Sequence, residues 1–175
     1  MRVLFVCTAN ICRSAYAELM ARHVLGDSTS VEVGSAGTHG YVDHPLDPPM
    51  ADQLRARGVD PDGFRSRRLT ARLVTEADLV LTAEVAHRQR ILEDQPEAFR
   101  RVFTLGQLAR ALDEAGVGAG VSARRTDLVR VLGPAVRPAV TDDDVVDPYR
   151  RGEEAAARAA EHLDVLVRRI MPVLA

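Results

Sequence analysis

Val3-Leu4-Phe5-Val6-Cys7-Thr8-Ala9-Asn10-Ile11-Cys12-Arg13-Ser14 is the stretch on which the chain turns. Its apolar front, rich in branched side chains, reads as a short buried strand over residues 2–7. From Ser14 the period changes: Ala17, Met20, Ala21, Val24 and Leu25 recur at helical spacing, and Gly26 is a natural stop. A thiol, five residues and a guanidinium therefore occupy a strand-to-helix turn. Backbone N–H groups at a helix N-terminus bind phosphate well, and residues 8–13 would supply them. Arg13 could add a bidentate grip on two oxygens. The same positive field favours a thiolate at Cys7, the form that attacks phosphorus, and the Ser14 hydroxyl could bond the sulfur and ease its departure. The plainer readings are a small apolar Cys7 at a strand end and a solvated Arg13. A basic residue in a first helical turn, however, opposes the helix dipole unless an anion sits there.

Beyond this turn, strand and helix patterns alternate. Val31-Glu32-Val33 reads as a second strand closed by Ser35-Ala36-Gly37-Thr38, and residues 39–49, with Gly40, Pro45, Pro48 and Pro49, read as a loop. Residues 50–57 look helical. Leu79-Val80-Leu81 is a buried strand behind the short polar lead-in Glu76-Ala77-Asp78, with helical signals following at 84–93. Val102-Phe103-Thr104-Leu105 is a fourth strand, and 107–114 a helix. The last helix runs from about Glu153 to Leu174, with Leu163, Leu166, Val167, Ile170 and Val173 as its apolar stripe. This alternation predicts an α/β fold: a parallel sheet covered by helices on both faces. Residues 116–144 mix Gly, Arg, Pro and the run Asp142-Asp143-Asp144, and read as part of a partly helical surface excursion over about 110–144. A chain of 175 residues without repeat or linker fits a single domain spanning 1–175.

Composition narrows the function classes. A formal charge of −2 gives no global basic field, so nucleic-acid binding has little support. All 23 basic residues are Arg, to which no mechanistic weight is attached. No apolar run approaches the ~18–20 residues that span a bilayer, so no membrane association is expected and a cytoplasmic location is the default. The two cysteines are too few for a secreted disulfide scaffold, and their spacing lacks the second pair of a structural zinc site. His39 and His44 lie on the Pro-rich loop, where solvated side chains are the expectation and a substrate contact the alternative. His23, His87 and His162 fall in helical stretches and read as surface or boundary residues. No histidine pair suggests a metal.

Cleaving a phosphate ester also requires a proton donor for the leaving oxygen. Asp147-Pro148-Tyr149, after Val145-Val146, is the candidate: Pro148 would stiffen the turn presenting the carboxyl group, and Tyr149 could flank an aromatic substrate. On local sequence a simple turn before the last helix is an equal reading.

Val6-Cys7-Thr8-Ala9-Asn10-Ile11-Cys12-Arg13-Ser14 together with Asp147-Pro148-Tyr149 resembles the low-molecular-weight protein tyrosine phosphatases, whose marks are a near-N-terminal V-C-x-G-N-x-C-R-S-P loop and a late D-P-Y/F acid. Further similarity lies in 35–38, 77–81 and 102–105. The resemblance implies a three-layer α/β/α fold with a four-stranded parallel sheet and the phosphate loop between strand 1 and helix 1. It implies Cys7 as nucleophile, Arg13 as phosphate clamp and Asp147 as general acid and then base, in a hydrolase acting on phosphotyrosine in proteins through a phosphocysteine. Thr8 to Ser14 would line the phosphate. Asn10, Ser14 and Ser35 would support the loop, while Ile11, Tyr41 and Tyr149 would flank the substrate. No metal or organic cofactor is implied, and a monomer or weak dimer is expected. A tyrosine kinase of cell-envelope polysaccharide export as substrate is analogy alone.

Four residues depart from that pattern. Ala9 stands where the family usually has Gly, and would cost about 1 kcal/mol if the site needs positive φ. Ala15 replaces a Pro. Phe64 falls where some members have a His supporting the loop, so that support is expected to be missing, and Arg150 replaces a second aromatic. Cys12 reads either as loop packing or, by the resemblance, as a redox partner whose disulfide with Cys7 would shield the thiolate from irreversible oxidation. Three other functions compete. Thioredoxin-coupled arsenate reduction needs cysteines beyond Cys7 and Cys12. Phosphoarginine hydrolysis is disfavoured by the bulky Ile11, where relatives of that specificity carry Thr. A non-catalytic phosphate-binding module would lack a nucleophile or an acid.

Overall fold

The computed structural model describes residues 1–26, 30–118 and 136–175. Strands β1 (Arg2–Cys7), β2 (Glu32–Gly37), β3 (Leu79–Thr82) and β4 (Val102–Thr104) form a parallel sheet in the order β2-β1-β3-β4. The helices are α1 (Arg13–Leu25), α2 (Pro48–Arg55), α3 (Ala71–Glu76), α4 (Val85–Asp94), α5 (Leu105–Glu114) and α6 (Gly152–Leu174), with 3₁₀ turns at Pro96–Arg100 and Thr141–Asp143. No helix is long and apolar enough to cross a membrane among the described residues.

The pleat of β1 sends alternate residues to opposite faces, which builds two apolar layers. Val3 and Phe5 pack with Met20, Leu54, Leu108, Leu163 and Ile170 from α1, α2, α5 and α6. Leu4 and Val6 pack with Val74 of α3, Ile91 of α4 and Ala98. Each large side chain so buried contributes about 1.5–3 kcal/mol. The three-layer expectation therefore holds, with β1 buried on both faces as a central parallel strand requires.

Local departures from the sequence reading have local causes. Helix α2 starts at Pro48, inside the expected loop, because Pro48 and Pro49 occupy its first turn, where a missing N–H costs nothing. Leu105 is helical rather than a strand residue. The Thr104 hydroxyl accepts from Gln107 N at 3.0 Å, and the Gln107 side chain reaches back to Thr104 N, closing a capping box that ends β4. Helix α3, which no periodicity announced, buries only Val74 and is started by the Thr70 cap. Helix α5 ends at Glu114, as the sequence reading has it, and of the acidic run only Asp142 is exposed. Asp143 is buried and receives Arg110 Nη2 at 2.9 Å and Val140 N at 2.9 Å. Asp144 accepts from Val85 N at 2.7 Å. The part of that excursion over 119–135 lies outside the described residues.

Register aligns the carboxyl ends of the strands. Cys7 lies opposite Gly37, Val6 opposite Thr82, and Thr82 opposite Thr104. Because β1 has β2 on one side and β3 on the other, its carboxyl end is the switch point of the sheet, where open α/β folds bind ligands.

Candidate active site

Past that carboxyl end, residues 8–12 curl over the start of α1. No side chain caps α1 at Cys12, and its first turn holds no acidic residue but does hold Arg13. The helix's positive end and its free N–H groups are therefore presented to whatever lies in the loop.

The loop is held from below by a chain of polar side chains. Asn10 is fully buried with φ 58°, a left-handed conformation that Asn tolerates better than most residues. Its Nδ2 donates to Ser14 Oγ at 2.9 Å and to Ser35 Oγ at 2.7 Å, and its Oδ1 accepts from the Arg67 backbone N–H at 2.9 Å. An amide nitrogen only donates, so Ser14 must accept there and can spend its own proton on Cys7 Sγ, 2.9 Å away. Ser35 likewise donates to the buried Glu18 carboxylate. Asn10, Ser14 and Ser35 thus occupy the expected supporting positions. The positive φ falls on Asn10 and not on Ala9, so the expected strain at Ala9 is absent. Nor is support missing for want of a histidine at Phe64: that side chain is buried, and the third partner of Asn10 is the Arg67 backbone. Gly37 passes beneath the loop so closely that a Cβ there would sit 2.6 Å from Thr8 O and 2.9 Å from Asn10 N.

Above the loop lies a cleft of about 270 Å³ lined by Cys7, Thr8, Ala9, Ile11, Cys12, Arg13, His39, Tyr41, Asp147 and Tyr149. The residues expected to react and those expected to flank the substrate therefore share one cleft, although 140 positions separate Cys7 from Asp147. The Arg13 side chain is 2% exposed. Its Nη1 donates to Glu84 Oε1 and, at 3.0 Å, to Val145 O, while Nη2 lies 3.3 Å from Asp147 Oδ2. Its Nε is buried and has no hydrogen-bond partner among the described residues. One edge of the guanidinium is thus fixed by protein, and the Nε–Nη2 edge is left for an anion, with a carboxylate beside it. Tyr149 N donates to Asp147 Oδ1 at 3.3 Å, and the Arg150 guanidinium lies 5.1 Å over the Tyr149 ring. Tyr41 is half exposed and packs against the His44 ring. Cys7 and Cys12 are both free and buried. Burial, and then the charge of Asp47, push the Cys12 thiol up.

Sequence reasoning missed Glu84, His87, Arg67 and Gly37, and underrated His39. His87 is no surface residue: it is 5% exposed, with Nε2 2.8 Å from Thr8 Oγ1. His39 is exposed but lines the cleft, and its N–H donates to Thr8 O at 2.9 Å. The signal that finds Glu84 and His87 is position: both follow the carboxyl end of β3, beside β1.

A cysteine at the end of the central strand, a loop over a helix N-terminus and a buried arginine closing it form a cleft suited to an oxyanion. A sequence model described as low molecular weight phosphotyrosine protein phosphatase matches residues 2–119, and the chain belongs to that family. The low molecular weight protein-tyrosine-phosphatase Etp of Escherichia coli is 39% identical over 105 residues, covering 60% of this chain and 69% of Etp. Among solved structures, the YwlE arginine phosphatase from Geobacillus stearothermophilus is similar with a TM-score of 0.74 and 26% identity, covering 97% of this chain and 90% of that one. A low molecular weight protein tyrosine phosphatase from T. tengcongensis is similar with a TM-score of 0.72 and 27% identity, covering 97% of each chain. The chain is thus an enzyme of the phosphatase class.

Proposed function

We propose that this chain hydrolyses phosphotyrosine in proteins through a phosphocysteine at Cys7. The observation carrying this reading is the cleft that holds Cys7, the free edge of Arg13 and the Asp147 carboxyl group together between Tyr41 and Tyr149. The loop N–H groups and the Nε–Nη2 edge of Arg13 would hold three phosphoryl oxygens. Cys7 Sγ attacks phosphorus, the P–O bond to the leaving group breaks, and Asp147 gives its proton to the departing oxygen. Asp147, now a carboxylate, takes a proton from water, whose oxygen attacks phosphorus. The S–P bond breaks, inorganic phosphate leaves, and the Ser14 proton eases release of the thiolate. Glu84 acts through Arg13, holding Nη1 so that the other edge faces the substrate.

The substrate preference rests on Ile11, an apolar residue lining the same cleft as Tyr41 and Tyr149. The second reading, phosphoarginine hydrolysis, is favoured by the likeness to an arginine phosphatase across nearly the whole chain. Purified enzyme offered a phosphotyrosine peptide and a phosphoarginine peptide of the same sequence is expected to give at least about tenfold higher kcat/KM on phosphotyrosine. A preference for phosphoarginine would overturn the use made of Ile11.

The two loop cysteines support a protective disulfide. Oxidation of Cys7 to a sulfenic acid followed by attack of Cys12 sulfur forms the S–S bond and releases water. Until then Cys12, its thiol form favoured by burial and by the charge of Asp47, waits as a thiol. Peroxide-treated wild type is expected to recover with dithiothreitol, and Cys12→Ser to recover far less; equal recovery would sink this reading. A reducing, cytoplasmic compartment suits such chemistry.

A further inference from the structure

His87 reaches Thr8, 79 positions away and on the wall of the cleft, with Nε2 2.8 Å from Oγ1. The ring is 5% exposed, and its Nδ1 is buried without a hydrogen-bond partner among the described residues. Burial first and the Arg13 guanidinium second hold the imidazole pKa down at about 4, outweighing the Glu84 and Asp147 carboxylates, with His39 adding to the depression. The ring is therefore neutral at neutral pH and carries one proton.

That proton has two possible seats. On Nδ1 it would make a buried donor with no acceptor, the more expensive and rarer kind of orphan. On Nε2 it is donated to Thr8 Oγ1, and only a lone pair is left unpaired at Nδ1. The second arrangement wins. It has a consequence for Thr8, whose hydroxyl oxygen has no other hydrogen bond among the described residues. With the ring acting as donor, the Thr8 proton must go elsewhere, and Thr8 lines the cleft beside Cys7, Arg13 and Asp147.

We propose that His87 is a positioning residue: by donating from Nε2 to Thr8 Oγ1 it turns the Thr8 proton into the cleft, where it gives the phosphoryl oxygens a side-chain donor beside the backbone N–H groups. This deepens the phosphatase reading and rests on it. The backbone donors bind any tetrahedral oxyanion, whereas the Thr8 proton adds a bond that depends on a residue of α4. The loop is thereby tied to the helix that also carries the Arg13 partner Glu84 at its start.

The test uses inorganic phosphate as a competitive inhibitor of p-nitrophenyl phosphate turnover. Thr8→Val removes the hydroxyl at nearly constant volume, and Thr8→Ser keeps it. His87→Leu removes the donor, and His87→Gln keeps an N–H near the place of Nε2. Thr8→Val and His87→Leu are each expected to weaken the phosphate inhibition constant about tenfold, the worth of one hydrogen bond to a charged group, and to lower kcat/KM by at least as much. The double variant should lose no more than either single one, because both act on the same bond, the one from the Thr8 proton to a phosphoryl oxygen. Thr8→Ser and His87→Gln should stay within about threefold of wild type. Nitrogen NMR of the neutral enzyme should place the His87 proton on Nε2, a signature that survives even if His87→Leu folds poorly. A proton on Nδ1, or additive losses in the double variant, would overturn the proposal. So would wild-type phosphate affinity and turnover in Thr8→Val beside an inactive Cys7→Ser, an outcome that leaves the proposed chemistry standing.

Discussion

Cys7→Ser is expected to lower turnover of p-nitrophenyl phosphate by on the order of 10⁴-fold or more while leaving the loop intact. The substitution keeps the size of the group and its hydrogen bond to Ser14 Oγ, the single side-chain partner of Cys7 Sγ among the described residues. Asn10, Ser35 and Arg67 hold the loop without using the sulfur. What disappears is the sulfur that the proposed mechanism uses as nucleophile. A serine hydroxyl needs a neighbouring base to attack phosphorus, and Ser14 is none; His87 is spent on Thr8. Thermal unfolding should therefore be nearly unchanged. Acid quenching during turnover of a labelled substrate should trap protein-bound phosphate in the wild type and none in the variant. Turnover within about tenfold of wild type in Cys7→Ser would sink the covalent mechanism.

The strands, five of the six helices and the loop were legible because each writes a short-range pattern. The apolar run 3–6 can only be a buried strand, and the period shift after Ser14 marks the helix that follows. Helix α3 wrote no such pattern, since a six-residue helix that buries only Val74 shows no stripe. Prolines 48 and 49 signalled loop because their meaning depends on whether a helix follows, and here they form its first turn.

The site shows the same division. Cys7 and Arg13 stood out by their spacing at a strand-to-helix turn, whereas Asp147 was an even reading with a simple turn until the resemblance paired it with them. Glu84, His87 and Arg67 did not stand out, because their roles exist only through parallel pairing. Glu84 is an ordinary helix-start residue until β3 is placed beside β1, which brings it to the Arg13 guanidinium. Arg67 acts through its backbone N–H, which no sequence records. The histidines illustrate the point in reverse. His87 and His162 both lie in helical stretches, yet the first is buried against the loop and the second exposed. Only packing separates them.

The Arg13–Asp147 contact carries the second large expectation. Asp147 Oδ2 stands 3.3 Å from Arg13 Nη2, on the edge of the guanidinium that the phosphoryl group is to take. Its carboxyl group is therefore close enough to reach the leaving oxygen, and also close enough to repel the incoming dianion when ionised. Asp147→Asn removes both effects with little change in shape. Without a proton to give, kcat on phosphotyrosine or phenyl phosphate should fall by about 10²–10⁴-fold. With p-nitrophenyl phosphate the loss should be much smaller in the first step, because that leaving group departs readily as an anion. Removing the negative charge beside Nη2 should at the same time leave phosphate inhibition as strong as in the wild type, or stronger. The variant is thus expected to separate kcat from binding, which a merely damaged site would not do. An equal loss of kcat/KM, which reports the first step, on both substrates, or weakened phosphate binding in a folded variant, would remove Asp147 from the role of acid and leave it a structural partner of Arg13.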